Sequence, residues 1–424
     1  MRVQPFFIVP AVLGVVTVGY IVASPSGDSV GQEATPEAAA TVAPAVTASA
    51  TLTGALPDGA SGVLTYRHLG EVVRVQLPGA VELSRAPASA ATPGQTSADG
   101  LWRADSHCVD EPCTASELLL TGPDSVVRVI RVERWVDRLE WSPTGHKLAV
   151  RVGRDAGSEL VVIDDPAVAE PRGVAGMGTG NPYRRSVGGF TWAADGRSLY
   201  VASGDYSGGM IDRIGLDGGV QGLHKTAGLP PYLYPSPARD RFAYTAQHPL
   251  GWQIYVYDAA ANDIIFSGNM GSDGPGGQPV TIAPGEQKGP MYIAWSPDGT
   301  KLAFGGGFAP PYVMTTIDVE SGAAVKTEFP HGYPGEIKWN AGGSMVAVST
   351  YDPGRTRHET YAVDPATGAA RHLLSGCTIV WSPDGRFLAV HGETEPGIAI
   401  VDVTSGAYGH LTRELWDTPA AWEP

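Results

Sequence analysis

Two histidine–carboxylate neighbours stand out as groups able to move a proton or hold a metal: His358-Glu359 and His391-Gly392-Glu393. Neither lies in a His-Glu-x-x-His frame, and the ten histidines show no other metal-ligand spacing. Gly27-Asp28-Ser29-Val30-Gly31 fits the nucleophile pattern of serine hydrolases. That pattern needs a strand before it and a helix after it, and the surrounding Ala, Thr and Pro supply neither. No catalytic residue, metal site or cofactor is therefore expected. Cys108 and Cys113 flank Val-Asp-Glu-Pro, a spacing that reads as a loop-pinning disulfide in an oxidising compartment. The rival reading, a metal site, has two thiols and no histidine at zinc-like spacing, which is half a site. Cys377, within Gly-Cys-Thr-Ile-Val-Trp, reads as a buried small apolar residue.

The elements that would position these groups follow from the order of the chain. An uncharged apolar run from Phe6 to Ala23 follows Arg2 and reads as a secretion signal or a membrane anchor, placing the rest outside the cytoplasm. Residues 24–56 are almost wholly Ala, Thr, Pro, Ser, Val and Gly with no periodic apolar face, the composition of a disordered linker. Beyond them, 55 Gly and 35 Pro across the chain punctuate short apolar runs and no amphipathic helix is visible, so the fold is expected to be all-β. A formal net charge of −15 excludes a nucleic-acid surface, which needs a basic stripe.

One ten-residue unit recurs along the rest. Its clearest copy is Trp381-Ser-Pro-Asp-Gly-Arg-Phe-Leu-Ala-Val390, with others beginning at Trp141, Trp192, Trp295 and Trp339 and a weaker one at Tyr234. Each reads as a strand ending in an aromatic, a Pro-Asp-Gly turn in which Gly supplies positive φ, and a second strand. The alternation in Leu148, Val150 and Val152 against Ala149 and Arg151 is that of a strand with unequal faces. The aromatics at 141, 192, 234, 295, 339, 381 and 422 are separated by 51, 42, 61, 44, 42 and 41 residues. A period in the low forties with two hairpins per unit is that of a four-stranded propeller blade.

The Trp-Ser-Pro-Asp-Gly-x-x-Leu-Ala-Val/Phe unit resembles the repeat of TolB-like β-propellers, related in build to WD-type repeats, over roughly residues 57–424. The resemblance implies a single propeller. Pro57–Tyr66 matches the second half of the unit and Ala420–Pro424 the first, so the two ends are expected to pair in one composite blade and close the ring. A degenerate unit over roughly 98–140, with Ser97-Ala-Asp-Gly100 as its turn, brings the expected total to eight blades. Seven is the alternative, if 62–140 make one irregular blade.

Because the aromatic, Leu and Ala-Val positions recur in every unit, they read as packing, and the Asp-Gly turns as turn chemistry rather than calcium ligands. Recognition is expected where the units differ, on the opposite face. Loops joining second to third strands carry Tyr206, His248, Trp252, Phe308, Tyr312, Tyr351, Arg355, Arg357, His358 and His391. Loops joining successive blades carry Tyr183, Arg184, Arg185, Tyr232 and Tyr333. Exposed aromatics with arginines suit a protein, peptide or glycan partner. The favoured reading is an exported, non-enzymatic binding propeller that meets the membrane only through its first segment. The alternative is a propeller lyase or hydrolase acting on sugars or lactones, with His248, His358 or His391 converging at the channel mouth.

Overall fold

The structure, a computed structural model, describes residues 41–42, 51–52 and 55–424 apart from 70, 88–91, 110–113, 125, 134, 155–156, 177–185, 206–207, 227–230, 249–250, 270–291, 307–311 and 353. The apolar run at 6–23 and the Gly-x-Ser-x-Gly match lie outside the described residues.

Eight antiparallel sheets of four consecutive strands form an eight-bladed propeller. Blade 1 is composite: Thr418–Glu423 pairs with Gly62–His68, followed by Glu71–Leu77 and Val81–Pro87. Blade 2, the degenerate unit, runs Thr92–Thr96, Arg103–Cys108, Ala115–Thr121 and Val127–Glu133, beginning slightly earlier than its turn signal suggested. Blade 3 runs from Val136–Trp141 to Arg172–Gly176, blade 4 from Ser186–Trp192 to Val220–Thr226, and blade 5 from Leu233–Pro235 to Asp263–Asn269. Blade 6 runs from Tyr292–Trp295 to Ala324–Phe329, blade 7 from Tyr333–Trp339 to Ala370–Leu374, and blade 8 from Gly376–Trp381 to Ala407–His410. Two short pieces of the stretch read as a linker join the sheets in parallel: Thr41–Val42 beside the last strand of blade 6, and Thr51–Leu52 beside that of blade 8.

The second strands of blades 3, 4, 7 and 8 are largely buried on both faces, because each lies between two other blades. Leu148, Ala149, Val150, Arg151 and Val152 are all buried, so the two unequal faces expected of this strand each meet a neighbouring blade. Leu148, Val150 and Val152 pack toward blade 2, while Ala149 belongs to the cluster shared with blade 4. Blade 8 repeats the division: Leu388 and Val390 face blade 7, and Phe387 and Ala389 face blade 1. Each such aliphatic side chain contributes roughly 1.5–3 kcal/mol by leaving water, and a buried cluster of this kind lies at each junction from blade 2 through blade 8 to blade 1.

The repeated tryptophans tie each inner strand to the one before it. Indole Nε1–H of Trp192 donates to the Glu140 carbonyl at 2.8 Å, that of Trp339 to Ala294 at 3.0 Å, and that of Trp381 to Lys338 at 2.9 Å. Trp141 and Trp295 make the same reach, to Gln95 and Tyr234. Turn chemistry is as the sequence implied: Ser296 Oγ donates to Asp298 at 2.6 Å, Asp298 accepts the Thr300 amide, and Gly299 takes φ +71°.

Candidate functional site

The loop end of blade 7 carries an aromatic ladder. Tyr333, Tyr351 and His358 are cross-strand partners on the first, second and third strands. Their rings lie 5.7 Å apart edge-on (Tyr333–Tyr351) and 4.9 Å apart (Tyr351–His358), within the range of favourable aromatic pairing. Three residues assigned to two loops are thus strand-end residues held in register. Burial raises the Tyr333 phenol above its ordinary value, with further contributions from Tyr351, Tyr292 and Tyr312.

Strand period explains why His358 and its sequence neighbour Glu359 do not pair with each other. Adjacent residues of a strand face opposite ways. His358 Nδ1 therefore meets Glu393 of blade 8 at 2.5 Å, and the other Glu393 oxygen accepts the His358 backbone N–H at 2.7 Å. Glu359 turns the other way, toward Arg357 Nη2 at 2.7 Å, His372 Nε2 at 2.7 Å and Ser375 Oγ at 2.8 Å. Burial pushes the Glu359 carboxyl up, but the His372 and Ser375 hydrogen bonds and the Arg357 charge outweigh it and hold the carboxyl below the ordinary range. His391 leaves Glu393 altogether: its Nδ1 sits 2.8 Å from the Asp417 carbonyl oxygen.

Cys377 completes the seam between blades 7 and 8. It is half-buried rather than a closed core residue, and its sulfur lies within 4.8 Å of ligand atoms of both His358 and Glu393. A bulge follows it at Thr378, which holds φ +52°, a conformation unfavourable for a β-branched residue. Blade 7 clamps the far side of this bulge: Glu336 accepts the Ile379 amide at 3.1 Å, and Lys338 Nζ donates to the Ile379 carbonyl at 2.7 Å. Burial raises the Cys377 thiol above its ordinary value, and the Glu393 and Glu336 carboxylates add to that shift.

Beyond this seam, a cleft between blades 7 and 8 is lined by His372, Ser375, Thr394, Glu395, Tyr408 and His410. The connection from blade 8 to blade 1 exposes Leu415 (53 %) and Trp416 (62 %), and Leu69 (66 %) stands on the adjacent hairpin. His68 Nδ1, 2.5 Å from Asp417 Oδ1, ties the two segments together. Sequence reasoning missed Leu69, Leu415 and Trp416. Their signal was available, a Leu-Trp pair in an otherwise polar connection just before the closing strand.

Among the other residues singled out, Tyr232 is half-exposed with the Arg151 guanidinium 5.3 Å from its ring centroid. Tyr312 pairs with Phe329 inside blade 6 and packs partly into the core. Arg355 is exposed beside Asp352 at 3.5 Å. Tyr183, Arg184, Arg185, Tyr206, Phe308 and Cys113 lie outside the described residues, as do the side chains of His248 and Trp252. Cys108 ends the second strand of blade 2. The convergence of imidazoles that a propeller enzyme would use is not formed by the described pair: His358 and His391 address different partners.

No family model and no curated protein matches the chain. Solved structures do. Dihydro-heme d1 dehydrogenase NirN in complex with DHE is 14 % identical with a TM-score of 0.56, over 87 % of this chain and 77 % of that one. The β-propeller domain of Myceliophteria thermophila Cps50 (Swd1) is 14 % identical with a TM-score of 0.48, over 71 % and 94 %. TolB from Acinetobacter baumannii is 15 % identical with a TM-score of 0.37, over 73 % and 79 %. At these identities the likeness concerns fold alone. The strand ladders make the chain an eight-bladed β-propeller, in which the recurring Trp-Ser-Pro-Asp-Gly unit marks the junction of first and second strands.

Proposed function

We propose that this protein is a non-enzymatic recognition propeller that binds a protein or peptide partner on its loop face, along the seam from blade 7 through blade 8 to blade 1. The observation that carries the reading is the grouping of exposed Leu69, Leu415 and Trp416 on the same face as the Tyr333–Tyr351–His358 ladder and Arg355. Large apolar side chains left in water beside rigid aromatics and an arginine are the composition of binding hot spots. The opposite face offers hydrogen-bonded Asp-Gly turns that are spent on their own backbone.

Capture of a partner by photo-crosslinking from position 416, followed by affinity measurement with the purified partner, tests the reading. Trp416→Ala, Tyr351→Ala and Arg355→Ala together should weaken binding at least about a thousandfold, if each anchor contributes ~2 kcal/mol. The charge reversals Arg197→Glu and Glu320→Lys on the turn face serve as the control. Loss of capture in the control with normal binding by the triple variant would place the working surface on the other face.

The apolar run at 6–23 is read as the export signal or anchor that delivers the propeller outside the cytoplasm. Intact mass and fractionation of the native protein decide between removal and retention. In that setting Cys108 and Cys113 are read as a local disulfide.

A further inference from the structure

We propose that His358, Cys377 and Glu393 form a binding site for one divalent zinc-class cation at the junction of blades 7 and 8. The three donors come from three separate segments: the third strand of blade 7, the first strand of blade 8, and the hairpin after Gly392. Their ligand atoms all lie within 4.8 Å of one another. Imidazole, thiolate and carboxylate are the donors zinc takes, and a set of three leaves a fourth position for water or an incoming group.

The geometry needs little adjustment. Zinc bond lengths of about 2.0–2.3 Å at tetrahedral angles separate neighbouring ligand atoms by roughly 3.3–3.6 Å. His358 Nδ1 and Glu393 Oε1 now stand 2.5 Å apart, sharing a hydrogen bond, so they must part by about 1 Å as the metal takes the place of that proton. Glu393 sits in a turn that can yield by this much, while its second oxygen stays anchored to the His358 amide at 2.7 Å.

The charges balance as well. Binding releases the Cys377 thiol proton, and thiolate plus carboxylate then offset the two positive charges of the cation around a neutral imidazole. The support behind the ligands is rigid: Tyr351 packs on the His358 ring, and Glu336 and Lys338 pin the backbone two residues past Cys377. Such backing orients metal ligands in the way outer-shell partners do.

The site is separable from partner capture because its readout is spectroscopic. The full chain, reduced and stripped of metal, is titrated with Co²⁺. The expected result is one equivalent bound, with a thiolate-to-cobalt charge-transfer band and the visible bands of a four-coordinate ion, both abolished by Zn²⁺. Cys377→Ser should remove the charge-transfer band. His358→Ala and Glu393→Gln should each weaken zinc binding, measured by competition with a chromophoric chelator, by more than the roughly 10–100-fold typical of losing an outer-shell partner. The double variant Cys108→Ser, Cys113→Ser should keep the band. Absence of the band in the wild-type chain overturns the proposal, as does an unchanged band in Cys377→Ser. If Cys377→Ser fails to fold, unchanged zinc affinity in both His358→Ala and Glu393→Gln overturns it equally.

Discussion

The indole N–H of Trp422 donates to the carbonyl of Ser61 at 2.8 Å, joining residues 361 positions apart in sequence. Trp422 is also the cross-strand partner of Leu64 and stacks on Phe387 of blade 8 with ring centroids 6.5 Å apart. Gly62 makes room for this contact: a side chain there would come within 2.3 Å of the Glu423 carbonyl oxygen, and the residue holds φ +103°. The ring is closed by this blade, which draws strands from both ends of the propeller sequence.

Removing residues 418–424 should therefore lower the unfolding temperature of the whole propeller, because blade 1 loses its inner strand and Gly62–His68 becomes an unpaired edge. Trp422→Ala alone should cost about 3–5 kcal/mol in denaturant unfolding, the range for truncating a buried tryptophan. An unfolding transition identical to that of the full chain would refute closure through this strand.

The inter-blade indole bonds differ in burial, and their energies should differ accordingly. Trp192→Phe frees the Glu140 carbonyl in a fully buried site, an expected loss of roughly 1–3 kcal/mol beyond the change in ring size. Trp381→Phe, at a partly exposed position where water can reach the freed carbonyl, should cost nearer about 1 kcal/mol. Chemical denaturation of the two variants checks the order, and the reverse order would mean the bond is not what sets the cost.

Asp99, in the turn of the degenerate blade, supplies a pH test. Hydrogen bonds from Ser97, then His146, then the Leu101 amide lower its carboxyl from the ordinary 3.8 to about 2. A carboxyl depressed on folding contributes stability that is complete above its unfolded value and disappears as pH falls through its folded one. The gap in melting temperature between wild type and Asp99→Asn should accordingly be full at neutral pH and shrink between about pH 4 and pH 2. A gap independent of pH over that window would show that the charge is not involved.

For Cys108 and Cys113, the expected outcome of replacing both with Ser is a folded propeller with loss of order confined to one connection, since a short closed loop adds little chain-entropy stabilisation. Thiol titration of the native protein provides the check, and two reactive thiols at these positions would exclude the bridge.

Blade number and ring closure were legible because they rest on local rules that repeat: an aromatic before a Pro-Asp-Gly turn, and half-units at residues 57–66 and 420–424. The unequal faces of the second strands were legible, but not what each face meets: the Arg151 guanidinium reaches the Val187 carbonyl at 3.2 Å and is buried between blades. Alternation there encodes which neighbour a side chain faces rather than whether it meets water. The seam was only partly legible. Tyr333, Tyr351 and His358 were each visible as unusual residues, yet their register depends on three strands. Cys377 lies near Glu393 beside a bulge at Thr378 that two side chains of blade 7 hold in place, and contacts between blades are encoded by no single unit.

The composite blade also has a consequence in time. Gly62–His68 is synthesised long before Trp422 arrives to pair with it, and at roughly 5–20 residues per second the 361 intervening positions take about 20–70 s. During that interval seven blades can hydrogen-bond locally, while the first keeps an unpaired strand whose Leu64 and Tyr66 are destined for the core. The nascent chain is thus a horseshoe with one sticky end, and its final strand acts as a latch. Any factor that slows translation late in the message lengthens the period in which this edge can capture the wrong strand, including the equivalent one of another nascent copy.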